Sequence, residues 1–290
     1  MDDSRRHASP NDSSGRVIEA DPADIVIRPL ASLAEYQACV ALQAAVWGPA
    51  YEETVPASLL QVVQHVGGVA IGAFAVTGEL VGFVFGLTGV DKGEIVHWSH
   101  ALGVRETVRN RGIGRMLKEH QRATLAQRGI ASMYWTFDPL VAKNAHLNLN
   151  QLGARVVEYV PNMYGTTGSP LHYGLATDRL VVVCRTHPAP GRRGPAAAPA
   201  SGRPVLTPEP QSGDQLFDAG TTRPPTVWIE VPTDIQQVIE QSRATAAAWR
   251  AALRTHFEWA LRSGYAVTGL HRDPVTSRSF YALTSASAPT

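Results

Sequence analysis

Only two cysteines occur in the 290 residues, Cys39 in a helical pattern and Cys184 in a strand pattern. Two free, buried thiols are the better reading, and they suit a reducing, cytoplasmic setting. No apolar run approaches the ~20 residues that span a bilayer. Residues 1–6 lead into polar sequence without an apolar h-region, so no secretory leader is expected. Charge of one sign is not in excess. Lys and Arg total 26 against 25 Asp and Glu, a formal net charge of +1, which removes the electrostatic case for nucleic-acid or membrane binding. No Gly-x-Ser-x-Gly elbow for a hydrolase is present. His97 and His100 fall on opposite faces of one strand with no further ligand at suitable spacing, so no metal site is expected. What remains, 44% hydrophobic and 18% charged residues, is the composition of a soluble globular protein.

Residues 1–22 lack periodicity and read as a disordered tail. A first domain is expected over 23–187. It opens with a strand over 24–30, and Ser32 and Glu35 form a capping box for a helix striped by Leu33, Tyr36, Val40, Ala44 and Trp47. Pro56 starts a second short helix that Gly67-Gly68 ends. Strand-like runs at 69–76, 80–87 and 94–104, separated by Thr77-Gly78 and Asp91-Lys92-Gly93, should pair antiparallel. A helix to about residue 127 follows, with Ile113, Met116, Leu117, His120 and Thr124 as its inner stripe. Then come a strand at 133–138, a helix around 145–152, and strands at 156–160 and 180–185. Nine of the 20 prolines fall within 188–225, so 188–226 reads as a Pro/Ala/Gly-rich linker. Residues 227–285 have a βαββ pattern, with one helix opened by a Thr233–Gln236 capping box. That segment is too small to trust alone, and should pack on the first domain or on a partner subunit, as in a homodimer.

The most telling segment is Val104 to Lys118. It reads as a strand end, a basic turn with two glycines, and a helix. Backbone N–H groups and a helix N-terminus then converge on one spot, which suits an anion, most plausibly a pyrophosphate. Arg109, Arg111, Arg115 and Lys118 supply positive charge around the same turn. The spelling is not a Walker A loop, because Gly114 is followed by Arg115-Met116. Nor is it a Rossmann fingerprint, because Leu117 stands where a third glycine belongs.

The loop Arg109-Asn110-Arg111-Gly112-Ile113-Gly114, set in this order of elements, resembles the GCN5-related N-acetyltransferase (GNAT) superfamily. Trp98-Ser99-His100, the run from Trp135 to Leu140, Asn144-Ala145, Trp249-Arg250 and Gly264-Tyr265 look like a bacterial branch of predicted acetyltransferases. The resemblance implies an α/β fold with a mixed, largely antiparallel sheet flanked by helices, carrying a C-terminal βαββ appendage. It implies that the amides of Arg109, Asn110, Arg111, Gly112, Ile113, Gly114 and Arg115 hold the pyrophosphate of acetyl-CoA. Leu102, Gly103 and Val104 would bond the pantetheine arm and the thioester in a gap between splayed strands, and Asn144 would touch the cofactor.

Acyl transfer to an amine needs the amine neutral, which with a pKa near ~10.4 is about one molecule in ~10³ at pH 7. A base near ambient pH is therefore useful, and His100, with an ordinary pKa of ~6.5, is favoured. A satisfied core histidine is the plainer reading of the same residue. Ser99 could relay a proton or bind substrate. Asp138 could anchor a substrate ammonium or partner His100, or could be a turn residue accepting backbone N–H groups. The superfamily's usual tyrosine acid would stand where Leu149 is, which leaves thiolate protonation to Tyr159, Tyr164 or solvent. The activity these residues imply is acetyl transfer to a small-molecule amine. The alternative is a non-catalytic acyl-CoA-binding sensor or scaffold.

Overall fold

Two sheets form, and a gap within the first decides where the chemistry can sit. The computed structural model describes residues 24–49, 51–165, 174–187, 205–207 and 223–285. The tail expected over 1–22 and most of the 188–226 stretch lie outside them. In chain order the first part is β1 (Val26–Pro29), α1 (Leu33–Trp47), α2 (Ala57–His65), β2 (Val69–Phe74), β3 (Leu80–Asp91), β4 (Glu94–Val104), α3 (Ile113–Gln127), β5 (Ser132–Phe137), α4 (Ala142–Ala145), β6 (Arg155–Val160) and β7 (Arg179–Arg185). These strands make one seven-stranded sheet, β1-β2-β3-β4-β5-β7-β6. Every neighbouring pair is antiparallel except β4 and β5.

Local chemistry sets the pairings. Lys92 and Gly93, with φ of 50° and 84°, make the two-residue turn between β3 and β4, and its left-handed backbone matches the strand twist. All six residues of β2 are buried, because helices cover both faces of the sheet. Leu42 of α1 and Leu60 and Val63 of α2 pack with Phe83 and Phe85 on one face. Ile113, Leu117 and Leu125 of α3 join the cluster on the other. At the start of α1, Ser32 accepts from the Glu35 amide. The Glu35 carboxylate faces the backbone amides of Ala31 and Ser32 and pairs with Arg28, so the capping box is reinforced by an ion pair.

The second sheet has the order β10-β11-β9-β8 and is built from β8 (Val205–Leu206), β9 (Thr226–Val231), α5 (Ile235–Gln241), α6 (Arg243–Arg262), β10 (Tyr265–Arg272) and β11 (Ser279–Ser285). Three expectations change here. Val205–Leu206, inside the stretch read as linker, pair parallel with β9. The single helix expected after 233 breaks at Ser242, whose Oγ accepts from Thr245 N at 3.2 Å and caps a new helix. Asp234, not Thr233, caps α5, by accepting from the amides of Gln236 and Gln237. The Thr233 hydroxyl instead donates to the Ser277 carbonyl.

The two sheets share one apolar cluster. Phe257 of α6 stacks on Tyr159, ring centroids 5.4 Å apart. Tyr281 donates to the Pro139 carbonyl at 2.8 Å. The Asn150 side chain pairs with both backbone groups of Leu270, at 2.6 and 3.0 Å.

Candidate active site

β4 and β5 touch only at Val96–Ser132, His97–Met133 and Trp98–Tyr134. Beyond that point they part. Ser99 to Val104 on one side and Trp135 to Asp138 on the other line a cavity of about 510 Å³, which Arg109, Asn144 and Tyr164 also border. Of the residues read from the sequence as catalytic or as holding the thioester arm, Ser99, His100, Leu102, Gly103, Val104, Asp138 and Asn144 all border this cavity.

The register of β4 against β3 shifts between Phe85–Ala101 and Gly86–Ser99, leaving His100 unpaired in a bulge. Simple alternation expects Ala101 beside His97 and Ser99. The extra residue reverses that. Ser99 bonds Gln121 of α3, whereas Ala101 packs with the α1 and α2 cluster. The exposed His100 ring stands edge-on to Phe85, centroids 6.1 Å apart. Desolvation pushes its pKa down and Glu53 partly opposes this, so the imidazole is neutral at pH 7.

At the end of β4 the backbone of Asn110 (φ 64°) and Gly112 (φ 81°) is left-handed, that of Arg111 between them is not, and α3 follows from Ile113. That alternation turns successive amides inward as a nest. Among the described residues nothing accepts from the amides of Asn110, Gly112, Ile113, Gly114 or Arg115. The last three head α3, where no intrahelical acceptor exists. The Arg109 amide, expected in this set, instead donates to the Glu106 carbonyl at 3.1 Å, and its Nε donates to Val104 O at 3.0 Å. Arg109 shapes the turn. Arg115 pairs with Glu119.

Asp138 is fully engaged. It accepts from Leu140 N at 2.8 Å and from both Nη atoms of Arg250, at 2.8 and 2.6 Å, with Arg179 at 3.7 Å. Burial raises the carboxyl's pKa, but the two guanidiniums outweigh it and hold it below the usual value. An ammonium anchor needs a carboxylate with free oxygens, so Asp138 is better read as a positioning group. Tyr159 does not border the cavity, because its hydroxyl donates to Asp178 at 2.5 Å beneath Arg254. Leu149, in the tyrosine's place, lies in the core within a π-turn, His146–Gln151.

Residues 38–148, which include the nest and both walls of the cavity, match the model of the acetyltransferase (GNAT) family. This segment is a GNAT domain. No curated protein matches the chain at a significant level. Solved structures similar to the chain include the ribosomal-protein-S18-alanine N-acetyltransferase from Escherichia coli. It is 18% identical, with 57% of this chain and 96% of that chain covered and a TM-score of 0.44. Another is a putative acetyltransferase from Salmonella typhimurium with its cofactor acetyl-CoA (16%, 59% and 98%, 0.44). An aminoglycoside 6'-acetyltransferase type Ii is a third (20%, 57% and 99%, 0.45).

The GNAT domain also contains a polar core that apolar periodicity does not reveal. The fully buried face of α3 is Ile113, Leu117, Lys118, Gln121 and Leu125; of the expected stripe, Met116 packs against the core while only partly buried, and His120 and Thr124 are half-buried. Lys118, read from the sequence as a fourth loop cation, points inward instead. Its Nζ donates to Ser99 Oγ at 2.7 Å and lies 4.3 Å from the centre of the Trp135 ring. Ser99 donates to Gln121 Oε1 at 2.8 Å, and the Gln121 amide lies 3.0 Å from His97 Nε2. His97 Nδ1 lies 3.0 Å from Thr88 Oγ1, whose proton goes to Gly67 O. These partners assign His97 as the neutral Nδ1–H tautomer. Desolvation and the nearby Lys118 charge lower its pKa to about 3. Gly86 makes room for the ring, since a Cβ there would stand 2.3 Å from His97 Nε2. The second sheet completes the wall, with Ile235, Gln236, Ile239 and Arg250 bordering the cavity.

Proposed function

We propose that the protein transfers an acetyl group from acetyl-CoA to a small-molecule amine by direct attack on the thioester, in a cytoplasmic setting. The observation that carries this reading is the opening of the β4–β5 wedge beside amides that no described residue uses. The site fits the group. The amides of Gly112, Ile113, Gly114 and Arg115 would hold a diphosphate, aided by the dipole of α3. The β4 edge from Leu102 to Val104, unpaired on the β5 side, would hold an amide-bearing arm in strand-like fashion. The thioester supplies the activated acyl group.

The chain's own part is to position and to move protons. His100, neutral and open to the cavity, takes the proton that the amine must lose. The bulge aims it away from the α3 face, toward the side bordered by Trp47, Tyr51 and Glu53. An amine would enter there. Arg250 and Arg179 hold Asp138, so the β5 wall keeps its shape.

Calorimetry with acetyl-CoA tests this reading. Binding should be lost in Gly112→Asp and Gly114→Asp, which put a carboxylate where the diphosphate belongs. Gly114→Ala should keep it, because a Cβ there meets only Leu102 and Val104, at 3.6 and 3.9 Å. The sensor reading is favoured by Leu149 in the tyrosine's place. Release of CoA thiol with any member of an amine panel eliminates it.

A further inference from the structure

We propose that Lys118 is the acid that protonates the leaving CoA thiolate, delivering the proton from the α3 side of the wedge while His100 serves the amine from the other. This rests on the acetyl-transfer reading above and names the group that the missing tyrosine leaves unassigned.

Geometry places Lys118 at the apex of the gap. The last β4–β5 pair is Trp98–Tyr134. The next residue on each strand, Ser99 and Trp135, is what the Nζ touches. The side chain is 6% exposed and borders the cavity, and no carboxylate lies within ion-pair distance of it among the described residues. A lysine sealed between an indole and a hydroxyl cannot keep its ordinary basicity, because no carboxylate compensates the desolvated charge. Burial lowers its pKa to about 7, and the Cys184 side chain of β7 offsets this slightly. The groups packed around it act consistently. His97 and Ser99 of β4 are neutral. Gln121 of α3 is neutral. Across the cavity the Asp138 charge is taken by Arg250 and Arg179, and Arg109 adds a further cation. An acid near 7 suits a leaving thiolate whose conjugate thiol titrates near ~8.5.

The Ser99–Gln121–His97–Thr88 chain does not conduct the proton, because the Gln121 amide interrupts it. It holds Ser99 Oγ with a lone pair toward Nζ, which fixes where the ammonium points. In the step, the amine nitrogen forms its bond to the thioester carbonyl carbon and the C–S bond breaks with its electron pair going to sulfur. A proton from Lys118 Nζ makes the thiol. The proton released by nitrogen goes to His100 and on to water, and the neutral Lys118 regains a proton from water in the cavity.

The first test needs no substrate. The chain has three lysines, Lys92, Lys118 and Lys143, so carbon-13 NMR of side-chain-labelled lysine follows each one. One resonance, absent in Lys118→Met, should titrate near pH 7. Titration of that resonance near 10.5 overturns the proposal.

The second test compares acetyl-CoA with its seleno analogue, whose leaving selenolate needs no acid. Lys118→Met should keep acetyl-CoA affinity by calorimetry and lose kcat by roughly 10²-fold with the thioester. It should lose far less with the selenoester. Equal losses with both donors, or a selenoester-sensitive loss in Tyr164→Phe larger than that in Lys118→Met, overturn the assignment. Failure of the unaltered protein to bind acetyl-CoA or release thiol rejects the acetyl-transfer reading itself, a result distinct from an active Lys118→Met.

Discussion

Burial disfavours the charged forms of both Lys118 and His97, and this gives the molecule a definite response to pH. For each, the folded pKa lies below the unfolded one: about 7 against 10.5 for Lys118 and about 3 against 6.5 for His97. The unfolded chain therefore binds more protons, and stability rises with pH through each window. For Lys118 the burial cost is greatest below pH 7 and fades toward 10.5; for His97 stability falls as pH drops from 6.5 to 3. Lys118→Met removes the first of these. It should stabilise the protein, and by roughly 2–3 kcal/mol more at pH 6 than at pH 9, at about 1.4 kcal/mol per unit. Urea denaturation at the two pH values measures this, and an equal gain at both means that Lys118 titrates as an exposed lysine. Neither residue's situation was legible in the sequence. Helical spacing gives Ile113, Met116, Leu117, His120 and Thr124 as the inner stripe of α3, which leaves Lys118 to the basic turn and does not include Gln121. A polar group becomes an inner-face residue only when its partners on another strand are known. The partner here is Ser99, placed by pairings that no spacing rule reveals.

At the scale of elements, punctuation carried most of the information. The turns at Lys92-Gly93 and Gly112 need a left-handed backbone and advertise it, so the β2–β3–β4 meander and the start of α3 follow from short-range rules. The bulge at His100 and the break at Ser242 do not advertise themselves. Serine is ordinary on a helix surface, and only the amide of Thr245 turning to its Oγ makes it a cap. Two substitutions separate these effects. Gly112→Ala meets no atom within 4 Å, yet should cost about 1–2 kcal/mol from the left-handed backbone alone. Ser242→Ala should cost about 1 kcal/mol from the lost cap. Thermal melts read both. A larger loss at 242 means that α5 and α6 depend on the kink for their packing as well as for their hydrogen bonds.

For the whole molecule, the connection between the sheets is the question, and Asp138 with Arg250 tests it. The carboxylate closes the first sheet's cavity wall and the guanidinium comes from α6, 112 residues later in the chain. Both are largely buried, at 12% and 6% side-chain exposure. Removing one partner leaves the other charge desolvated, so Arg250→Leu should destabilise by about 3–5 kcal/mol, although Arg179 at 3.7 Å retains part of the pairing. Asp138→Asn made in the Arg250→Leu background should recover much of that loss, because a neutral amide needs less compensation than a buried charge. The loss has a pH signature too. The carboxyl's folded pKa lies below 3.8, so the pair's contribution is present above about pH 4 and disappears as pH falls through that lower value. The deficit of Arg250→Leu should therefore be largest near neutrality and narrow in acid. If instead the deficit is flat with pH and Asp138→Asn recovers nothing, the sheets are held by Phe257 on Tyr159 and the shared apolar cluster. The ion pair would then only shape the cavity wall, and a chain ending at residue 187 should fail to fold even with Asp138 replaced.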